Sequence, residues 1–188
     1  ADGTVDRANS EVIVEDSSQF VGSSAPTRLA TLNTGLEFLG RQFRFSTLLD
    51  YKGGHRLYNN TERIRCQSRR NCRGLNDATA PLWQQARVVA LLNATNRQSF
   101  AGFFEEADFI RLRELSLTFT PGGDAVTRLF RARSANITLA ARNLAVWTKY
   151  SGIDPELDIS AADGSEVPNE FQTLGPSTYW TLRVNLGF

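Results

Sequence analysis

Along much of the chain, apolar and polar residues trade places one for one. Ala30, Leu32, Thr34, Leu36 and Phe38 share one face, with Thr31, Asn33, Gly35 and Glu37 on the other. After Gly40-Arg41, the residues Phe43, Phe45, Thr47, Leu49 and Tyr51 alternate with Gln42, Arg44, Ser46 and Asp50, and only Leu48 falls on the polar side. A period of two is the mark of a strand, and the glycine between the runs marks a tight turn, so this region reads as a hairpin. Alternation returns at Leu115, Leu117 and Phe119 against Glu114, Ser116 and Thr118, and again through Ile137, Leu139, Ala141, Ala145 and Trp147. The closing stretch is the most regular, with Trp180, Leu182, Val184, Leu186 and Phe188 opposite Tyr179, Thr181, Arg183, Asn185 and Gly187. The pattern predicts about five antiparallel strands.

Between these runs the rhythm stops. Residues 1–27 are polar and rich in Gly, Ser and Asp, an irregular segment with room for one short strand near Val12-Ile13-Val14. Residues 53–104 open on Gly53-Gly54-His55-Arg56 and pass through an Arg-rich stretch. Pro81 then precedes Leu82, Ala86, Val89 and Leu92 at helical spacing, which predicts one helix over 81–92. Pro121-Gly122-Gly123 ends the third strand, and residues 151–177 form a second long polar connection. A connection of about 50 residues far exceeds the two to five usual in hairpins.

A very short turn at 40–41 and a moderate one at 121–133, with long connections at 52–107 and 149–178, fit the wall of an outer-membrane barrel. A soluble antiparallel sandwich, such as a carbohydrate-binding module, also alternates. Two features favour the barrel. The solvent faces of a sandwich are rich in Lys and Glu, whereas these polar faces carry Thr, Ser, Asn and Arg, and the only lysines are Lys52 and Lys149. Tyr51, Trp147, Tyr150, Tyr179 and Trp180 also lie near the strand ends facing the long connections, as an interfacial girdle would. The barrel reading expects an open, curved sheet with Leu32, Phe45, Leu117, Leu139 and Leu186 on its convex face. The sandwich reading expects those side chains inside a closed core.

Composition narrows the function. Across 188 residues the formal net charge is +1, without the basic excess that nucleic-acid binding needs. With 41% hydrophobic and 22% charged residues the chain is not of a disordered composition. No apolar run reaches the roughly 18 residues of a membrane-spanning helix, a test that says nothing about strands. The sequence has no Met and no signal peptide at Ala1, so a processed chain or a fragment is expected. With His55 the single histidine and no nucleophile–base spacing, acids such as Glu105 and Glu106 stand as scattered residues, and no enzyme or cofactor is expected.

Specific residues carry a family likeness. Asp108-Phe109-Ile110-Arg111-Leu112-Arg113-Glu114-Leu115-Ser116-Leu117-Thr118 resembles a strand of TonB-dependent outer-membrane receptors of the SusC/RagA type. The block Arg142-Asn143-Leu144-Ala145-Val146-Trp147-Thr148-Lys149-Tyr150-Ser151-Gly152-Ile153-Asp154-Pro155-Glu156 is similar to a motif of the same family. So are Asp50-Tyr51-Lys52-Gly53-Gly54, with Asn59 following, and the close Leu182-Arg183-Val184-Asn185-Leu186-Gly187-Phe188. The resemblance implies that residues 28–188 form the C-terminal part, about five strands, of a transmembrane β-barrel of about 22. It implies a place in the bacterial outer membrane and the import of large nutrients such as oligosaccharides or peptides. Its partners would be outer-membrane lipid, the rest of the barrel and its plug, TonB through an N-terminal part outside this chain, and a SusD-like surface lipoprotein. Leu182, Val184, Leu186 and Phe188 would be the assembly signal at the end of the last strand.

Several residues keep two readings. Cys66 and Cys72 are too few for a zinc site; in an oxidising compartment they would form a disulfide, and otherwise two buried thiols. Arg63, Arg65, Arg69, Arg70 and Arg73 would contact an anionic ligand, lipopolysaccharide phosphates or the lid protein, or form a solvated loop. Trp83 would line a ligand chamber or pack against neighbouring loops. Trp147 and Tyr150 would stack on sugars or anchor at the interface. Asp154-Pro155-Glu156 with Asp158 does not match a calcium-loop spacing.

Overall fold

The computed structural model describes residues 4–5, 11–92, 98–164 and 166–188. The elements in chain order are β1 (Arg28–Phe38), β2 (Phe43–Gly53), β3 (Arg56–Asn59), α1 (Asn60–Gln67), α2 (Arg73–Asn76) and α3 (Leu82–Leu92). A single 3-10 turn (Ala101–Phe103), β4 (Phe104–Glu106), β5 (Phe109–Phe119) and α4 (Gly123–Phe130) follow. The chain closes with β6 (Ser134–Thr148), α5 (Ser160–Asp163), β7 (Asn169–Glu170) and β8 (Tyr179–Gly187). They divide between two compact units. Residues 28–53, 109–148 and 176–188 form a sheet unit; residues 1–27, 54–108 and 149–175 form a loop unit.

The sheet unit is one antiparallel sheet in the order β1-β2-β5-β6-β8. The β1–β2 turn reverses through Gly40 at φ 64°, where a residue without a Cβ carries little strain. Phe38 pairs with Phe43 and Leu36 with Phe45, so the hairpin register follows the alternation. The ladder slips once, between Leu112 and Glu114 on β5 and between Leu48 and Leu49 on β2. The extra residue is Arg113 on β5, and it shifts that strand's parity so that Ile110 and Leu112 share a face with Leu115 and Leu117. β2 runs unbroken against β1, so Leu48 keeps to the polar side, opposite Asn33 and Glu114. The connection at 121–133 is more than a turn. Its α4 puts Val126 against Ala132 and Ala135 in a small cluster that covers the start of β6.

The loop unit has its own three-stranded sheet, in the order β4-β3-β7, with β3–β4 antiparallel and β3–β7 parallel. Its core gathers Cys66, Cys72, Val88, Leu91 and Phe103, and a second cluster joins Leu57, Ala107 and Tyr150. The expected helix over 81–92 is α3, but its buried face is Gln85, Arg87, Val88 and Leu91, while Leu82 is exposed. Polar residues go inside because each finds partners there. Gln85 donates to the carbonyls of Ala78 and Ala80 and accepts from the backbone of Val5. Helices α1 and α2 join α3 in the same connection, where the hydrophobic pattern predicts one helix. In the irregular leading segment, residues 1–3 and 6–10 lie outside the described residues, and residues 11–27 contain no strand.

Candidate functional site

Two features carry the chemistry: the two faces of the sheet, and a polar network in the loop unit. Residues paired across an antiparallel sheet share a face. On one face, Leu36, Phe45, Leu117, Leu139 and Leu182 form an apolar row across all five strands. Beside it runs Phe38, Phe43, Phe119, Ile137 and Val184, whose first three rings stack at 5.4 and 4.7 Å. Farther along come Thr34, Thr47, Leu115, Ala141 and Trp180, then Leu32, Leu49, Leu112 and Ala145, then Ala30, Tyr51, Ile110 and Trp147. Leu32, Phe45, Leu117, Leu139 and Leu186 therefore lie on one face, and four of them are exposed, as are Leu36 and Leu182 at 65% and 68%. Contiguous exposed apolar surface of this extent marks an interaction face.

The aromatic residues bracket this face. The Phe38–Phe43–Phe119 row lies at the short-turn end and the Tyr51–Trp147 row at the other, with Trp180 at the start of β8. On β1 these rows fall at positions 38 and 30, eight residues apart. At about 3.4 Å per residue that is about 27 Å along the strand, or roughly 20 Å along the normal at about 40° tilt. The dimension approaches the apolar band of about 25 Å that outer-membrane barrels carry between aromatic girdles. The phenylalanine row has its own sequence signal, an aromatic at the last alternating position beside a short turn, although none of its members is among the expected girdle residues. Two expected girdle members lie elsewhere. Tyr179 faces the polar side, where its hydroxyl accepts from Arg142 Nη1 at 3.1 Å. Tyr150 is buried with Leu57 and Ala107, so it neither stacks on a sugar nor anchors at an interface.

The opposite face is polar and internally bonded. Asp50 accepts from Thr31 Oγ1 at 2.9 Å and from Arg113 Nε at 2.8 Å, and Arg142 Nε donates to Glu114 at 2.7 Å. The hydroxyls of Thr118 and Thr138 meet at 3.0 Å, and Glu37 lies 3.8 Å from both Arg41 and Arg44. Arg111 is buried at the long-connection end, its guanidinium 5.5 Å from the Phe109 ring. Leu112 belongs to the apolar face, and the bulge at Arg113 lets the adjacent Arg113 and Glu114 both bond on the polar one.

The 142–156 block is a structural junction. Asn143, at φ 52°, donates to the Ser177 carbonyl, and its own carbonyl accepts from Thr178. Trp147 stands on the apolar face, while Leu144 is half-buried and Lys149 exposed. In the loop unit, a Cβ on Gly152 would collide with the Glu170 carboxylate and the Tyr150 ring, so only glycine fits. Glu170 is fully buried and accepts from Ile153 N at 2.8 Å. Asp154 is buried beside the buried Pro155 and accepts from Glu156 N at 2.9 Å. Burial, with the carboxylates of Glu170, Glu105 and Asp154 nearby, pushes the Tyr150 phenol well above its usual range. Asp158 is held below the usual carboxylate range: burial opposes this, but the Ser160 and Asn169 N–H groups prevail.

A polar network spans the loop unit's segments. Arg87, 4% exposed, lies between the rings of Trp83 and Phe103 at 4.9 and 4.8 Å. Its Nη1 donates to Glu105 Oε1 at 2.9 Å and its Nη2 to Glu62 Oε1 at 3.4 Å. Glu105 also accepts from Ser151 Oγ at 2.8 Å, Ser151 N at 3.0 Å and Asn59 Nδ2 at 3.3 Å. Asn59 Oδ1 meanwhile caps α1 at Glu62 N. No spacing points to Glu105, because its partners come from distant segments.

Cys66 and Cys72 are joined in a disulfide whose residues are both buried, with Cα atoms 4.9 Å apart. Glu62 lies close to these sulfurs, but a disulfide offers no thiolate, and Arg65 and Arg87 engage the Glu62 carboxylate. The arginines around the ring differ. Arg63 is taken up by Tyr58, Gln67 and Asn60, Arg65 by Glu62, and Arg73 by Asp77. Arg69 and Arg70 are exposed. Trp83 is half exposed, one face occupied by Arg87. Leu182, Val184 and Leu186 line the apolar face of β8, and Phe188 beyond them is exposed.

No family model and no curated protein matches the chain. Solved structures do. The chain is similar to a chain of the RagAB peptide importer in its "open-open" state, with a TM-score of 0.60 at 18% identity, and in its "closed-closed" state, with 0.60 at 19%. A further structure, of the RagAB peptide transporter, gives 0.56 at 20%. Each likeness covers 87% of this chain and 17% of the other, so the chain spans about a sixth of the length of those it matches. At this identity the likeness is one of fold: an all-β antiparallel sheet with its long connections.

Proposed function

We propose that this chain is the C-terminal wall segment of a TonB-dependent outer-membrane importer of the SusC/RagA type. The apolar face meets lipid, and the polar face looks into the lumen. The long connections lie on the cell's outer side. The observation that carries this reading is the exposed apolar face itself, with aromatic rows at both ends and no closed core beneath it among the described residues. A soluble sandwich would bury Leu117, Leu139 and Leu182 against a second sheet; here they are among the exposed side chains. The edge strands β1 and β8 would pair with the strands of the remaining barrel, since a membrane leaves no backbone group unsatisfied.

Function then belongs to the larger assembly, which imports peptides or oligosaccharides with a SusD-like surface lipoprotein as its lid. The RagAB neighbours, importers of peptides by name, support peptides as the first cargo to test. Leu182, Val184, Leu186 and Phe188 would serve as the assembly signal, and Arg69, Arg70 and Trp83 are the side chains open to ligand or lid. This segment would do no catalysis. Spin labels placed singly at positions 136–141 of the full-length protein test the wall. Oxygen accessibility should peak at 137, 139 and 141 and fall at 136, 138 and 140. Uniform accessibility to a water-soluble nickel reagent would refute it.

A further inference from the structure

Glu105 stands where three separate segments of the loop unit meet. Arg87 reaches it from α3, Asn59 from the end of β3, and Ser151 from the second long connection, through both its backbone N–H and its hydroxyl. The donors are divided: Oε2 accepts the Ser151 N–H, and Oε1 accepts the Arg87, Asn59 and Ser151 side chains. Only 11% of the Glu105 side chain and 4% of the Arg87 side chain is exposed, so water replaces neither partner readily. Arg87 is itself fixed by the Trp83 and Phe103 rings and by Glu62. It makes none of these contacts with residues 149–175.

We propose that Glu105 is a positioning residue that couples Arg87 of the first long connection to Ser151 of the second, so that a contact made by either is transmitted to the other. The connections are also joined by the β3–β7 backbone pairing at Tyr58–Asn169 and Asn59–Glu170, by Asn59 Nδ2 donating to Ser151 Oγ at 3.2 Å, and by Thr61 Oγ1 accepting from Gln172 N at 2.9 Å. Glu105 adds a side-chain link whose state depends on Arg87 on one side and Ser151 on the other. The functional meaning rests on reading the long connections as the cargo-facing side; the coupling itself does not. Carrier loops tied in this way respond to cargo together, because a ligand that orders one lowers the cost of ordering the other.

Amide hydrogen exchange on the intact protein tests the link. Glu105→Gln should speed exchange at Ser151 at least tenfold. Arg87→Lys, which alters only the first connection, should speed exchange at Ser151 at least threefold when Glu105 is present and add nothing in the Glu105→Gln background. If Glu105→Gln also loosens β6, the same comparison is made in the Glu105→Asp background. The proposal fails if Arg87→Lys leaves Ser151 unchanged, or speeds it equally with and without Glu105. Loss of lipid contact at Trp147 would sink the wall reading and leave this coupling intact.

Discussion

The two units solve the problem of burial in opposite ways. The loop unit closes a core of its own, pinned by a disulfide and by charges that are paired wherever Arg87, Glu62 and Glu105 go inside. The sheet unit leaves rows of Leu, Phe and Ile open and instead satisfies its polar face with cross-strand bonds. One unit buries its apolar side chains in a core of its own. The other presents one apolar and one polar face, which on the proposed reading meet lipid and lumen, and the period-two alternation is how one strand serves both.

The largest expected effect strikes the loop unit. Arg87→Ala leaves the inward-facing Glu105 carboxylate without its cation, leaves Glu62 with Arg65 alone and removes the guanidinium from between two rings, a loss of about 3–5 kcal/mol. Denaturant unfolding followed by loop-unit exchange should show it, with little change in the sheet. The next strikes the sheet. Leu139→Arg on the exposed apolar face should cost about 2–4 kcal/mol in lipid, whereas an exposed site in water changes by about 0.5 kcal/mol or less. Yield of folded protein in membranes, compared with Thr138→Arg on the opposite face, reads the difference.

Much of this contrast is legible in the chain. A period of two persists over whole strands, so alternation alone puts Leu32, Phe45, Leu117, Leu139 and Leu186 on one face and marks Leu48 as the residue out of step. The loop unit is less legible for a physical reason. Helix α1 is so polar that it has almost no apolar stripe, and α3 buries Gln85 and Arg87, which a hydrophobic pattern counts as outside. Tyr150 resembles Trp147 in kind and lies only three residues beyond it, yet its side chain faces a core while Trp147 is exposed. Contacts such as Glu105 with Ser151 leave no trace in local spacing.

Smaller effects sharpen the comparison further. Replacing both Cys66 and Cys72 with Ser opens a short ring and should cost about 2 kcal/mol in the loop unit. The sheet should be untouched, which trypsin cleavage at Arg69 and Arg70 against cleavage within the strands would show. Smaller still is a pH effect. Burial and the neighbouring carboxylates raise the Tyr150 pKa above its ordinary 10.0, so the folded state favours the neutral phenol. This contribution is complete below pH 10 and declines as pH rises beyond it, when the unfolded chain gains by ionising. Ultraviolet titration should find the Tyr150 phenol silent until the loop unit opens.

The choice of solvent can be read from the three tryptophans, two on the apolar face and one on the loop unit. The measurement is fluorescence quenching by brominated lipid in single-tryptophan variants of the membrane-embedded protein. Trp147 and Trp180 should be strongly quenched and Trp83 left bright; equal, weak quenching of all three would mean that the apolar rows never meet hydrocarbon.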